Sequence, residues 1–292
     1  FSVPHAHAYP DRSPFLFTSS ILPHPRAISA TMSNMNGQYT TYATDNGIAT
    51  ITLTHSERDN RLDYSFIEAI LKRMQQAAND FQVREGIIRA QGEAFCKGTD
   101  PAYLSKLQQY SLEENITDTG FLAQFYHTIQ RFKKVVIAEV QGPALNEGLG
   151  LAAACDFVFA ADTATFAVED VRYANIPAVA MYFIIRKLGE QKAREILLTG
   201  ETFDAKKAHE LGLVYQTAPA DQLSDATRQF AEQLGQTTAP GVMEYYKKML
   251  ADLPGMPYQD ALAFSAKINA HARTTSEYRQ GLQALLKDET IV

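Results

Sequence analysis

VVIAEVQGPALNEGLGLAAACDFVFAADTATFAVEDVRYANIP, residues 135–177, is the stretch from which the architecture of the whole chain can be read. An apolar, β-branched run, Val135–Val140, breaks at Gln141-Gly142-Pro143. Small residues follow over 144–154, and then a second strand-like run, Phe157–Ala161. This punctuation favours strand, glycine turn, helix, strand. Glycines at a strand-to-helix junction let backbone N–H groups approach a ligand, and the helix N-terminus adds positive potential there. That suits negative charge developing on an oxygen, so the stretch reads as half of an oxyanion-binding site.

Upstream, residues 39–44 and 48–54 alternate around Asp45-Asn46-Gly47, which predicts a hairpin. A polar loop over 55–62 precedes a helix capped by Ser65 and running to about Phe81, with Phe66, Ile67, Ile70 and Met74 on one face. A strand over 85–90, the loop 91–100 and helices over 101–110 and 121–132 come next. Downstream, helices are expected near 176–188, 190–198 and 204–211, with a short strand over 213–217. From 220 onward the pattern is wholly helical, broken at Pro240, Pro254-Gly255 and 274–276. Strand-helix alternation followed by helices argues an α/β body with a helical C-terminal appendage. That appendage must bury Tyr246, Leu250, Leu262 and Leu285 against its own body or a neighbouring subunit.

The 292 residues, 46% hydrophobic, suffice for one large domain or a domain with an appendage. A net charge of -6 without any block of like charge gives no nucleic-acid surface. No apolar run reaches the roughly 18 residues of a membrane span. Cys96 and Cys155 are too few for a disulfide framework, and no Cys/His spacing matches a metal site. The expectation is a soluble, cytoplasmic protein. Residues 1–36 stand apart, rich in Pro, Ser, His and Ala, with Asp11 their single acid. They read as a flexible extension, a leader or an organellar transit segment. His5, His7 and His24 are loose tail histidines, and Met32 or Met35 is a natural start for the folded part.

Gly148-x-Gly150-x-x-Ala153 imitates a dinucleotide fingerprint, with Glu169 or Asp170 about 20 residues on. Small residues at such a junction serve close packing equally well, and residues 143–147 lengthen the turn. More informative is a pair of glycine-bearing loops, 92–100 and 141–148, each directly after a strand and before a helix. If those strands are sheet neighbours, both turns lie at one edge and can offer N–H groups to the same oxygen. Enolate chemistry at a carbonyl needs two such donors.

With these segments in order, the chain resembles the crotonase (enoyl-CoA hydratase/isomerase) superfamily from about 39 to 287. The matching pieces are Asn60-Arg61-Leu62, 92–100, 136–156, 166–177, Leu198-Thr199-Gly200 with Ala208 and Gly212-Leu213-Val214, and the terminal helix. The resemblance implies a crotonase-type spiral of ββα repeats with a helical C-terminal trimerisation region. The divisions would be an extension at 1–36, a catalytic core at 37–218 and a helical region at 219–292. It also implies homotrimers or dimers of trimers, and acyl-CoA or acyl-carrier thioester substrates, with coenzyme A part of the substrate and no separate cofactor. The oxyanion donors would be the backbone amides of Lys97 and Glu147. Lys97, Gly98, Thr99, Asp100 and Gly148 would lie along the acyl-CoA path, Tyr103 and Tyr173 in the acyl pocket, and Asn60, Arg61 and Leu62 near the nucleotide end.

Two-carboxylate hydratases of this family carry glutamates where Gly150 and Asp170 stand. The chain is most similar to the branch of methylglutaconyl-CoA-type hydratases and polyketide β-branching dehydratases, which also has glycine at the first position. A further departure is Asn146-Glu147 in place of two glycines. Asp170 is expected as general acid or base, and Glu147 either enters the pocket as a second one or turns away. The implied activity is hydration or dehydration of a 2-enoyl/3-hydroxyacyl pair. The rivals are a one-carboxylate double-bond isomerase and an acyl-CoA-binding homologue without activity.

Overall fold

The computed structural model describes residues 39–289, so the 1–36 extension and its histidines lie outside the described residues. β1 (Thr40–Asp45) and β2 (Ile48–Leu53) form the hairpin read from Asn46-Gly47, both of which adopt positive φ. α1 (Tyr64–Asn79) starts at Asp63 and not at Ser65: the Asp63 carboxylate accepts the Phe66 amide at 2.8 Å. An acid there satisfies an orphan amide and meets the positive end of the helix. After β3 (Glu85–Ala90) and α2 (Pro101–Leu107), α3 (Leu112–Gln130) begins well before the expected position. Ser111 and Glu114 start it with a reciprocal capping box.

The opening stretch folds as β4 (Val135–Val140), β5 (Ala144–Leu145), α4 (Glu147–Ala154), β6 (Phe157–Ala161) and β7 (Thr165–Ala167). A 3-10 turn, Glu169–Tyr173, leads into α5 (Ala178–Leu188) and α6 (Glu190–Thr199). β8 (Phe203–Asp204), α7 (Ala205–Leu211) and β9 (Gln216–Ala218) follow. β9 starts later than the apolar run suggests, because the Leu213 and Val214 amides turn back onto Ala208 O at 3.0 and 3.2 Å. α8 (Leu223–Thr237), α9 (Pro240–Asp252), α10 (Tyr258–Ala272) and α11 (Ser276–Glu289) make the helical end, divided at the expected breaks.

Six strands form one sheet in the order β1-β2-β3-β4-β6-β9, parallel after the first pair. A second, smaller sheet runs β5-β7-β8. Isolated bridges Leu62↔Thr99 and Cys96↔Ala144 extend it. After β4 and again after β6 the chain adds a short strand, β5 or β7, to the small sheet before it enters a helix. Because β3 and β4 are parallel neighbours (Ile87↔Ile137), the loops that follow them emerge at the same edge. Every residue of β4 is buried, as expected of a central parallel strand covered on both faces. Among the described residues no helix is long and apolar enough to cross a membrane. On the C-terminal helices Tyr246, Leu250, Tyr258, Leu262, Leu285 and Leu286 stay exposed in the single chain.

Glu85 opens β3 from a buried position, with Gly235 of α8 packed against its carboxylate. Burial raises its pKa from 4.5 to about 7, against the smaller pull of Arg84 and Lys134. The folded value lies above the unfolded one. Its stabilising contribution is therefore complete below pH 4.5 and is lost as the pH rises through about 7. Glu85→Gln keeps the shape without the charge. Relative to wild type it is expected to gain about 1–2 kcal/mol at pH 8 and little at pH 4.5, allowing for partial hydration of the carboxylate. Urea unfolding of both proteins at the two pH values measures this, and an equal difference at both would refute it.

Candidate active site

The two loops meet because the start of α4 lies flat against the loop after β3. The Leu145 amide donates to Cys96 O at 2.9 Å, and a Cβ on Gly148 would stand 2.0 Å from that same carbonyl. Only glycine allows this approach. The close approach carries the Glu147 amide, at the first turn of α4, up to residues 96–99.

Of the two expected donors, Lys97 is corrected. Its amide donates to Asp59 O at 3.2 Å, its carbonyl accepts from Arg61 Nη1 at 2.9 Å, and its ammonium pairs with Asp59 at 3.1 Å. Lys97 is fastened to the 59–61 loop and its N–H faces away from Glu147. The amide directed at Glu147 belongs to Thr99, two residues on. In a regular strand the amides of 97 and 99 would point the same way. Gly98, at φ 89°, turns one against the other.

What the Thr99 amide meets is the Glu147 side chain itself, at 3.1 Å to Oε2. The Glu147 backbone N–H and the Thr99 side chain also favour the ionised form of this carboxylate. Glu147 is buried, with its carboxylate between the two loops and not in solvent. Burial and then the Asp170 charge push its pKa above the ordinary carboxylate value, against the pull of its own amide and of Thr99.

Asp170 is buried on the 3-10 turn and accepts from Asn175 Nδ2 at 2.7 Å. Burial raises its pKa, the Asn175 bond lowers it, Glu169 raises it and Arg61 lowers it, and the net shift is upward. Asn146 holds this turn in place. Its Oδ1 accepts the amides of Glu169 at 2.7 Å and Asp170 at 3.2 Å, and its backbone takes a positive φ of 51°. Asparagine tolerates that conformation better than most residues. Asn146 and Thr99 have local signals that are commonplace, and their roles follow from partners distant in sequence, whereas Asn175 acts on Asp170 five residues before it.

The first-acid position is closed as well as vacant of acid. A Cβ on Gly150 would lie 2.5 Å from Ala180 Cβ, 2.9 Å from Ala180 Cα and 3.1 Å from the Tyr126 hydroxyl. Tyr126, fully buried on α3, donates to Glu147 O at 2.7 Å. Gly148 and Gly150 are thus close-packing residues, the alternative weighed against a dinucleotide fingerprint.

The remaining expected ligand-binding residues divide. Asn60 is buried and its amide donates to Gln91 O and Ala94 O, both at 2.9 Å. Leu62 is core, and its backbone pairs with Gly98 O and the Asp100 amide, both at 2.8 Å. These two hold the loop after β3 in place. Asp100 caps α2 through the Ala102 and Tyr103 amides at 2.8 and 3.1 Å. The Tyr103 hydroxyl is engaged by Asp118 of α3, and Tyr173 is 77% exposed, outside any closed acyl pocket of the single chain. Cys96 is buried with its thiol pushed up to about 12, so it is a packed residue and not a nucleophile. Arg61, Thr99, Glu147 and Asp170 are the group the structure brings together.

Comparison with known proteins gives the family and the fold of the chain. The Enoyl-CoA hydratase/isomerase family model matches residues 43–290. The 2,3-dehydroadipyl-CoA hydratase of Escherichia coli is 26% identical over 82% of this chain and 92% of its own length. The trans-2-decenoyl-[acyl-carrier-protein] isomerase of Streptococcus mutans is 25% identical over 83% of this chain and 93% of its own. The crystal structure of an enoyl-CoA hydratase from Shewanella pealeana superposes with a TM-score of 0.81 at 28% identity, covering 89% of this chain and 98% of that one. The fold is therefore the crotonase fold expected from the sequence. The chain belongs to the enoyl-CoA hydratase/isomerase family.

Proposed function

We propose that the chain adds water to, or removes it from, a 2-enoyl/3-hydroxyacyl thioester through an enolate, with the Thr99 and Glu147 amides as oxyanion donors and Asp170 moving the proton. One observation carries the reading: the Thr99 amide, from the loop after β3, donates to the carboxylate of Glu147, the residue that opens α4, so the two loops meet at one anionic oxygen, a stand-in for a thioester oxyanion, and Asp170 lies close enough for its charge to be felt there. In the hydration direction Asp170 takes a proton from water as its oxygen attacks C3. The electron pair moves onto the thioester oxygen, and the enolate collapses by taking the proton at C2. Preorganised amides hold the developing charge without reorganisation. A carboxylate whose pKa is raised is better matched to proton transfer near neutrality.

The sealing of Gly150 favours a second reading. With Glu147 engaged in the cradle, Asp170 is the carboxylate left to act, and a double-bond isomerase needs one to shuttle a proton between C2 and C4. Enoyl absorbance separates the two. Hydration bleaches crotonyl-CoA, whereas isomerisation of a 3-enoyl-CoA creates the conjugated band. The expected result is bleaching. No change with either isomer, presented on CoA or on a carrier-protein arm, would defeat both readings.

A further inference from the structure

Glu147 occupies the position at which a substrate oxygen would have to sit. Its carboxylate accepts from the Thr99 amide at 3.1 Å, and its own amide and the Thr99 side chain favour its charged form. A carboxylate oxygen and a thioester oxyanion ask the same of a pair of N–H donors: short, charge-assisted bonds from fixed dipoles. The placement is not a loose rotamer. Glu147 is buried and its carbonyl is fixed by the buried Tyr126 hydroxyl. On either side, Asn146 is held by the Glu169 amide and Gly148 is packed against Cys96.

We propose that the Glu147 carboxylate is an internal occupant of the oxyanion cradle, and that a thioester binds by displacing it. This rests on the thioester-enolate reading and adds a specificity-determining residue to it. Only a ligand whose remaining interactions offset the lost carboxylate bonds can enter. The apparent affinity falls by the fraction of molecules in which the cradle is open. A charge-assisted hydrogen bond from the Thr99 amide, weighed against burial of the carboxylate and the nearby Asp170, makes an open fraction of roughly 1–10% reasonable, which weakens binding about 10- to 100-fold.

The displacement also carries a pH dependence of definite sign. The groups facing the Glu147 carboxylate are Asp170 on the 3-10 turn, Cys96 on the loop after β3 and Tyr126 on α3, with Arg61 acting on Asp170 and Cys96. Protonation weakens the carboxylate as an acceptor, so thioester affinity should rise as the pH falls. Asp170 is present in wild type and in a Glu147 variant alike, and the difference between the two isolates Glu147.

The test is calorimetric binding of acetyl-CoA, a thioester with no double bond to hydrate or shift, to wild type, E147G, E147A and E147Q. The expected result is about 10- to 100-fold tighter binding by E147G and E147A at pH 8, an intermediate value for E147Q, and a gap that narrows toward pH 5.5. Equal, measurable affinities in all four proteins would overturn the occupant while leaving the thioester reading standing. Absence of binding by variants shown to be folded by circular dichroism would overturn both, because emptying the cradle must then expose it. E147A keeps the helix start intact and serves if E147G does not fold.

Discussion

Asp170→Asn is expected to lower turnover of an enoyl thioester about 10²- to 10⁴-fold, the range typical of losing a positioned general acid or base. The substitution is chosen for its geometry. An asparagine at 170 still offers a carbonyl oxygen to Asn175 Nδ2, now 2.7 Å from the aspartate, and its backbone amide still reaches Asn146 Oδ1. Folding should therefore change by less than about 1 kcal/mol, the scale of one hydrogen bond. Loss of rate without loss of stability, together with disappearance of the acid limb of the pH-rate profile, identifies a group that exchanges protons. Because burial raises the Asp170 pKa, that limb should lie above the range of an exposed aspartate in the wild type. Turnover within tenfold of wild type would remove Asp170 from the chemistry.

Gly150→Glu, which restores on paper the acid of the two-carboxylate hydratases, should damage the protein instead. The first atom of any side chain there meets Ala180 Cβ at 2.5 Å and Ala180 Cα at 2.9 Å, and a helix backbone cannot yield as a flexible side-chain end can. Overpacking and an added buried charge together predict a loss of about 3 kcal/mol or more, without any rise in hydration rate. Adding Ala180→Gly removes the methyl group that clashes and should recover part of the stability. Recovery stays partial because the α5 backbone at residue 180 is still too near. Thermal unfolding of the single and double variants measures both effects. A stable G150E with faster hydration would mean that α5 moves aside readily and that the missing acid, not the packing, limits this chain.

Much of the fold was legible in the residues. Asn46-Gly47 marked the hairpin, Gln141-Gly142-Pro143 marked the end of β4, and the breaks at 240, 254–255 and 274–276 divided the terminal helices. Where the reading slipped, the cause was local competition. Asp63 outcompeted Ser65 as a cap, the Ser111–Glu114 box lengthened α3, and back-bonding to Ala208 delayed β9. β5 and β7 run for two and three residues, too short for a period-2 pattern to declare itself.

The candidate site was legible at coarser grain. Loop order and the Asp170 position pointed to two amides and an acid, but the Lys97 amide is engaged by Asp59 and it is the Thr99 amide, two residues on, that meets Glu147. By itself the sequence determined the alternation of strands, turns and helices and the presence of two glycine loops at adjacent strand ends, because turn chemistry and side-chain periodicity act between near neighbours. Tertiary structure alone decided which amide meets the Glu147 carboxylate, that this carboxylate is buried, and that Gly150 is sealed. Each depends on an approach between residues far apart in the chain: Asp59 to Lys97, Thr99 to Glu147, and Gly150 to Ala180. A few tenths of an ångström at such places separate a donor from a clash, and no local pattern encodes that distance.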